Sequence, residues 1–203
     1  MTHAPAQPAP IPSDPARLAH VPPDQGPGPH APARFAVVGN GWRARFFLRM
    51  ARLLPDRFAA TGVVARSEER AAEVRREWGV PTASTVAGVV AIERPDFVVV
   101  AVPWAASAGV IRELVALGVP VLAETPPAPD AAGLRELWAD VGASGLVQVA
   151  EHSPFMPAHA ARLEALRRGL IGEVTSVQIS STHLYHAVAV IRAMLGAASA
   201  RSP

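Results

Sequence analysis

From Arg34 onward, short and continuously apolar segments alternate with amphipathic ones, and this alternation restricts the possible folds more than any other feature of the chain. Phe97-Val-Val-Val-Ala-Val102 is apolar at every position, so as a strand it has to be covered on both faces. Arg34 to Val38, Phe58 to Ala65, Val119 to Ala123 and Leu146 to Ala150 read the same way, and the strand around Phe97 is predicted over Asp96 to Val102. Helices are predicted between them at Arg45 to Leu54, Ser67 to Trp78, Thr85 to Glu93, Ala105 to Leu117 and Asp130 to Val141. Ser67 is placed as an N-cap, with Glu68 and Glu69 facing the positive end of the helix dipole, and Asp130 caps its helix in the same way. Buried strands alternating with helices predict an α/β fold, a doubly wound parallel sheet over residues 34–150.

The two flanks have a different texture. Residues 1–33 hold ten of the 21 prolines and three of the seven histidines, with no helical or strand periodicity. Proline removes backbone donors, and the segment has little apolar surface to offset ordering, so a disordered tail is expected, with a polyproline ligand as the competing reading. His3, His20 and His30 are too scattered to suggest a metal site. Beyond Ala150 a helix (Met156 to Arg168), a turn (Gly169 to Gly172), one strand (Val174 to Ser181) and a helix (Tyr185 to Leu195) are predicted, the incomplete start of an α+β domain over residues 151–203. A lone strand leaves both edges unpaired unless a second copy, a partner chain or a missing continuation supplies them.

Composition narrows the chemistry. All 19 basic residues are arginine and there is no cysteine, which excludes a Schiff-base lysine, a P-loop lysine, a thiolate metal site and a cysteine nucleophile. The pI of 10.3 comes from a buffering gap, because the formal charge is only +2 and little titrates between the amino terminus and Tyr185. Nucleic acid is therefore not expected as a partner. No apolar run reaches the roughly 18 residues of a spanning helix and no leader pattern opens the chain, so no membrane association and a cytoplasmic location are expected.

Gly39-x-Gly41-x-x-Ala44 follows the first predicted strand and opens the first helix. In that context Gly39 permits the tight turn, Gly41 lets backbone approach a pyrophosphate, and Ala44 allows close helix packing. A plain strand-to-helix turn is the competing reading. At the end of the second strand, where an acid would bind the ribose hydroxyls of NAD, the sequence has Arg66 and Ser67, which suit the 2′-phosphate of NADP. Arg66 as a solvated surface residue is the alternative. Trp42 and Trp104 follow strand ends on the ligand side and are placed at a cofactor cleft, whereas Trp78 and Trp138 are read as core. Glu151 and His152 follow the sixth strand and are further site candidates, against a reading as linker.

These pieces resemble the Gfo/Idh/MocA family of NAD(P)-dependent oxidoreductases, the relatives of glucose-fructose oxidoreductase and inositol dehydrogenase. The likeness runs from about Arg34 to Gly196. It rests on Ala36-Val-Val-Gly-Asn-Gly41, Arg66-Ser-Glu-Glu-Arg70, Pro95-Asp-Phe-Val-Val-Val-Ala-Val-Pro103, Gly118-Val-Pro-Val-Leu-Ala-Glu-Thr-Pro126, and Gly169-Leu-Ile-Gly-Glu-Val174 ahead of His186. It implies a Rossmann domain followed by a domain built on a large, mostly antiparallel sheet, with active sites between the two. It further implies cofactor contacts from Asn40 and Arg43 in the first turn, from Val102, Pro103 and Trp104 after the fourth strand, and from Glu124 after the fifth.

Two departures bear on catalysis. The family's Glu-Lys-Pro is Glu124-Thr125-Pro126 here, resembling a divergent branch with Glu-Thr-Pro-Pro and a Tyr-His pair like Tyr185-His186. The family's Asp, four residues before a His, is Thr182 here, while His186 matches the histidine. The resemblance thus implies NADP as cofactor, with NAD as the alternative, and a sugar, polyol or related hydroxyl or carbonyl compound as substrate. His186 is the expected acid-base residue, with Tyr185 in support. Two other readings stay open. His183 and His186 are ordinary polar residues at a helix start in one, and the chain is a catalytically inactive nucleotide-binding module or fragment needing a partner chain in the other.

Overall fold

The computed structural model describes residues 31–196, so the disorder expected for the proline-rich tail falls almost wholly outside the described residues. These residues divide into two compact units, one ending at Ala150 and one beginning at Glu151.

The first unit is a six-stranded parallel sheet. Its strands are β1 (Ala33–Val38), β2 (Phe58–Val64), β3 (Thr82–Ala83), β4 (Phe97–Val100), β5 (Val121–Ala123) and β6 (Val147–Val149), in the spatial order β3-β2-β1-β4-β5-β6. The intervening helices are α1 (Trp42–Leu53), α2 (Glu68–Trp78), α3 (Val86–Glu93), α4 (Trp104–Ala116) and α5 (Ala131–Val141). This is the doubly wound Rossmann arrangement expected from the alternation, and the strand order reverses between β1 and β4.

Both sheet faces are closed by apolar packing. Val38, Val98, Val100, Ile111 and Leu114 lie in the cluster under α3, α4 and α5. Phe35, Val37, Phe47, Leu48 and Val99 lie in the cluster under α1 and α2. Neighbouring residues of one strand thus feed opposite cores, which is why β4 is apolar throughout. Ser67, Thr85 and Asp130 cap α2, α3 and α5 by accepting backbone hydrogen bonds from Arg70, Gly88 and Gly133.

Some expectations need correction. β3 has no counterpart in the sequence reading, because two residues are too few to show a period. Trp138 is not core: it is 47% exposed, lying over Gly142, whose added Cβ would stand 2.7 Å from its ring. The second unit contains α6 (Pro157–Arg167), α7 (Leu184–Met194) and a 3-10 turn at Ser153–Phe155. The strand expected over Val174 to Ser181 does not form, since a strand exists only through a ladder with a neighbour and no described residue supplies one. No helix among the described residues is long and apolar enough to cross a membrane.

Candidate functional site

The carboxyl ends of the parallel strands share one edge of the first unit, and most of the expected cofactor residues are there. Gly39 follows β1 at φ +131°, and a Cβ on it would lie 2.1 Å from the carbonyl oxygen of Ala101. Only glycine fits, because the turn passes directly against the end of β4 at the point where the strand order reverses. Gly41 is the N-cap of α1, has no side-chain cap, and would carry a Cβ with nothing within 4 Å. Backbone N–H groups at the positive end of α1 are therefore open to an anion. Ala44, 1% exposed, brings α1 close against the sheet. Asn40 lies exposed in the same turn.

Arg43 in the first turn of α1 meets Glu124, the residue after β5. Arg43 Nε lies 2.7 Å from Glu124 Oε1 with both atoms sealed from solvent, yet the contact lacks the alignment of a hydrogen bond. The pair is Coulombic and keeps unused donor and acceptor capacity at the strand ends. Its guanidinium also lies 5.4 Å from the ring of Trp42 and 4.9 Å from that of Phe46. Trp42 and Trp104 are 76% and 51% exposed. Val102 is half-buried and Pro103 exposed, and Pro103 is the N-cap of α4. Thr125 joins Pro126 through a cis peptide bond.

Arg66 follows β2, is exposed, and has no ion-pair partner among the described residues. It lines a recess with Val38, Val64, Ser84, Thr85 and Val86. Ser67 beside it accepts from the Arg70 backbone N–H at 3.4 Å, which leaves its hydroxyl hydrogen available. Arg70 itself is paired with Glu73 at 2.6 Å, and that hydrogen bond holds the Glu73 carboxyl below its usual range.

In the second unit His186, on the first turn of α7, meets Glu151. Nδ1 lies 2.8 Å from Oε2 and 3.0 Å from Oε1, and each side chain is about one-fifth exposed. Burial raises the Glu151 carboxyl pKa, but hydrogen bonds from the Ser153 backbone and hydroxyl and from His186 outweigh it and hold the group below its usual range. The ring of Tyr185 lies 4.4 Å from His186, that of His152 5.7 Å and that of His183 6.2 Å. Among the described residues no group of three His, Asp or Glu is arranged to hold a metal ion. Leu184, between His183 and Tyr185, has φ +51°, a conformation that disfavours a leucine side chain. Glu151, a further site candidate from its place after the sixth strand, thus pairs with a histidine 35 positions away, and no local pattern could have signalled the pairing.

Strand order, turn and strand-end residues define a Rossmann-type α/β protein. The chain belongs to the Gfo/Idh/MocA oxidoreductase family with an NAD-binding Rossmann fold, whose family model matches residues 33–152. Solved structures share the fold. Scyllo-inositol dehydrogenase from Lactobacillus casei with bound NAD(H) and scyllo-inositol matches with a TM-score of 0.68 at 16% identity, over 81% of this chain and 56% of that one. The WlbA dehydrogenase from Bordetella pertussis, in complex with NADH and UDP-GlcNAcA, matches at 0.62 and 18% identity, over 70% and 44%. A 3-ketoreductase from Actinomadura kijaniata in complex with NADP and TDP-benzene matches at 0.59 and 25% identity, over 70% and 44%. The chain spans about half the length of these solved proteins. No curated protein matches the sequence.

Proposed function

We propose that the chain is an NADP-preferring oxidoreductase acting on a sugar, polyol or related hydroxyl or carbonyl compound. The Gly39–Gly41 turn carries this reading. It combines a position where only glycine fits with an uncapped helix N-terminus facing open space, which is what a dinucleotide pyrophosphate needs. Arg43 and Glu124 offer charge beside it, and Val102, Pro103, Trp42 and Trp104 offer apolar surface. Arg66 and Ser67 favour the 2′-phosphate, with a guanidinium that has no ion-pair partner among the described residues and a hydroxyl able to donate, where a ribose-binding acid would otherwise stand. The 3-ketoreductase with NADP supports that choice, and the inositol dehydrogenase supports a polyhydroxy substrate class.

Bound nicotinamide would supply hydride transfer, and the protein's part is position and a proton path. His186 takes the proton from a hydroxyl, or returns it to a carbonyl, through Nε2, with Tyr185 beside it to bond a substrate oxygen. Thr125, standing where relatives have lysine, carries no titratable group, which leaves that task to the histidine.

Calorimetric titration with NADP and NAD tests the cofactor assignment. NADP is expected to bind more tightly, and Arg66→Ala is expected to lower its affinity about tenfold with little effect on NAD. Equal affinities would overturn the preference. NADPH oxidation with a panel of keto sugars and keto polyols tests turnover, and activity no higher than that of His186→Ala would overturn it. In the second reading the chain binds nucleotide without turnover and needs a partner chain or second copy along residues 174–181. Thr125 in place of lysine favours it, and sedimentation analysis together with the same NADPH assay separates the two.

A further inference from the structure

We infer that Glu151 is the positioning residue for His186, standing in for the carboxylate that Thr182 cannot supply. A carboxylate only accepts hydrogen bonds, so an imidazole nitrogen 2.8 Å from Oε2 and 3.0 Å from Oε1 has to carry the proton. Nδ1 is therefore the N–H nitrogen of neutral His186, and Nε2 is left with its lone pair as the proton acceptor.

Glu151 is itself held in place. Its Oε1 accepts from the backbone N–H of Ser153 at 2.9 Å, and Ser153 is buried at the start of the 3-10 turn. The chain that turns after Glu151 thus fixes the carboxylate, and the carboxylate fixes the ring. Thr182, four residues before His186, offers a neutral hydroxyl that can donate as readily as accept, so it does not specify a tautomer. Glu151 does so from another part of the chain.

This inference rests on His186 being the acid-base residue proposed above, but its decisive test does not. Nitrogen-15 spectra of the uniformly labelled full chain, with His186 assigned through His186→Gln, are expected to show Nδ1–H and unprotonated Nε2 in neutral wild-type His186. In Glu151→Gln the amide can donate to Nδ1, and in Glu151→Ala the acceptor is gone. Both are expected to shift the population to Nε2–H. Retention of Nδ1–H in both variants would overturn the inference, and a purely structural role for Glu151 would leave the tautomer where it was. In the NADPH assay Glu151→Gln is expected to lower kcat about 100-fold with KM nearly unchanged. Absence of wild-type turnover would remove the proposed function and leave the tautomer result to decide the role of Glu151.

Discussion

The two units are held together by different means. Residues 31–150 enclose a sheet between two apolar clusters, and many of their side chains have lost all contact with water. Between Glu151 and Gly196 Val190 is the only described apolar residue that is buried, while Phe155, Leu170, Ile171 and Leu184 are each more than 60% exposed. Polar contacts take over there: Glu151 with His186 and Ser153, and Arg167 and Arg168 with Glu164. The first unit carries ion pairs too, such as Arg70 with Glu73 and Arg112 with Asp140, but these lie at its exposed surface, and its geometry comes mainly from packing, which is insensitive to pH. The second derives a good part of its geometry from charge and hydrogen bonds, which are not.

The largest expected effect is on the sheet. Gly39→Ala forces a Cβ into the Ala101 carbonyl at an unfavourable φ, and urea denaturation is expected to show a loss of about 4 kcal/mol. Gly41→Ala, with open space around its Cβ, should cost no more than about 1 kcal/mol and weaken NADP binding in calorimetry instead. Leu114→Ala, at a fully buried position, should destabilise the sheet unit by about 3 kcal/mol. Val190→Ala sharpens the contrast: about 2 kcal/mol is expected, seen in hydrogen exchange as lost protection of α6 and α7 while the strands stay protected. If α6, α7 and the strands lose protection together, the two units are one cooperative body and the comparison fails. Ser67→Ala should remove about 1 kcal/mol by uncapping α2, read from the same urea curves.

Acid gives the mildest perturbation. The Glu151 carboxyl is held below its value in the unfolded chain, so its contribution is complete above that unfolded value and is lost as pH falls through the folded one. Exchange measured down a pH series should therefore show α7 loosening in the acid range before the strands of the sheet.

The sheet was legible in the sequence because its determinants are local. An apolar run such as Val98 to Val100 marks a two-faced strand, a serine before Glu68 and Glu69 marks a helix start, and a glycine after a strand marks a turn. What escaped was short or distant. β3 is two residues long, and Arg43 and Glu124 meet from 81 positions apart in the chain. The alternating segment from Val174 to Ser181 misled for the converse reason. Its pattern suits a strand, but a pattern cannot provide the neighbour that a ladder requires. For the candidate site, residue types were readable at Gly39, Gly41, Arg66 and His186. The pairing of His186 with Glu151 depends on how the chain after Ala150 folds back, which no local signal encodes.

The Arg43–Glu124 contact has a thermodynamic consequence. An arginine that is free in solution loses up to about 2 kcal/mol of rotamer freedom when it is immobilised on an anion. Arg43, paired with Glu124 and lying close to two aromatic rings, has already lost much of that freedom when the chain folds. A phosphate arriving at the start of α1 would meet a side chain with little disorder left to surrender, so more of their attraction would appear as affinity.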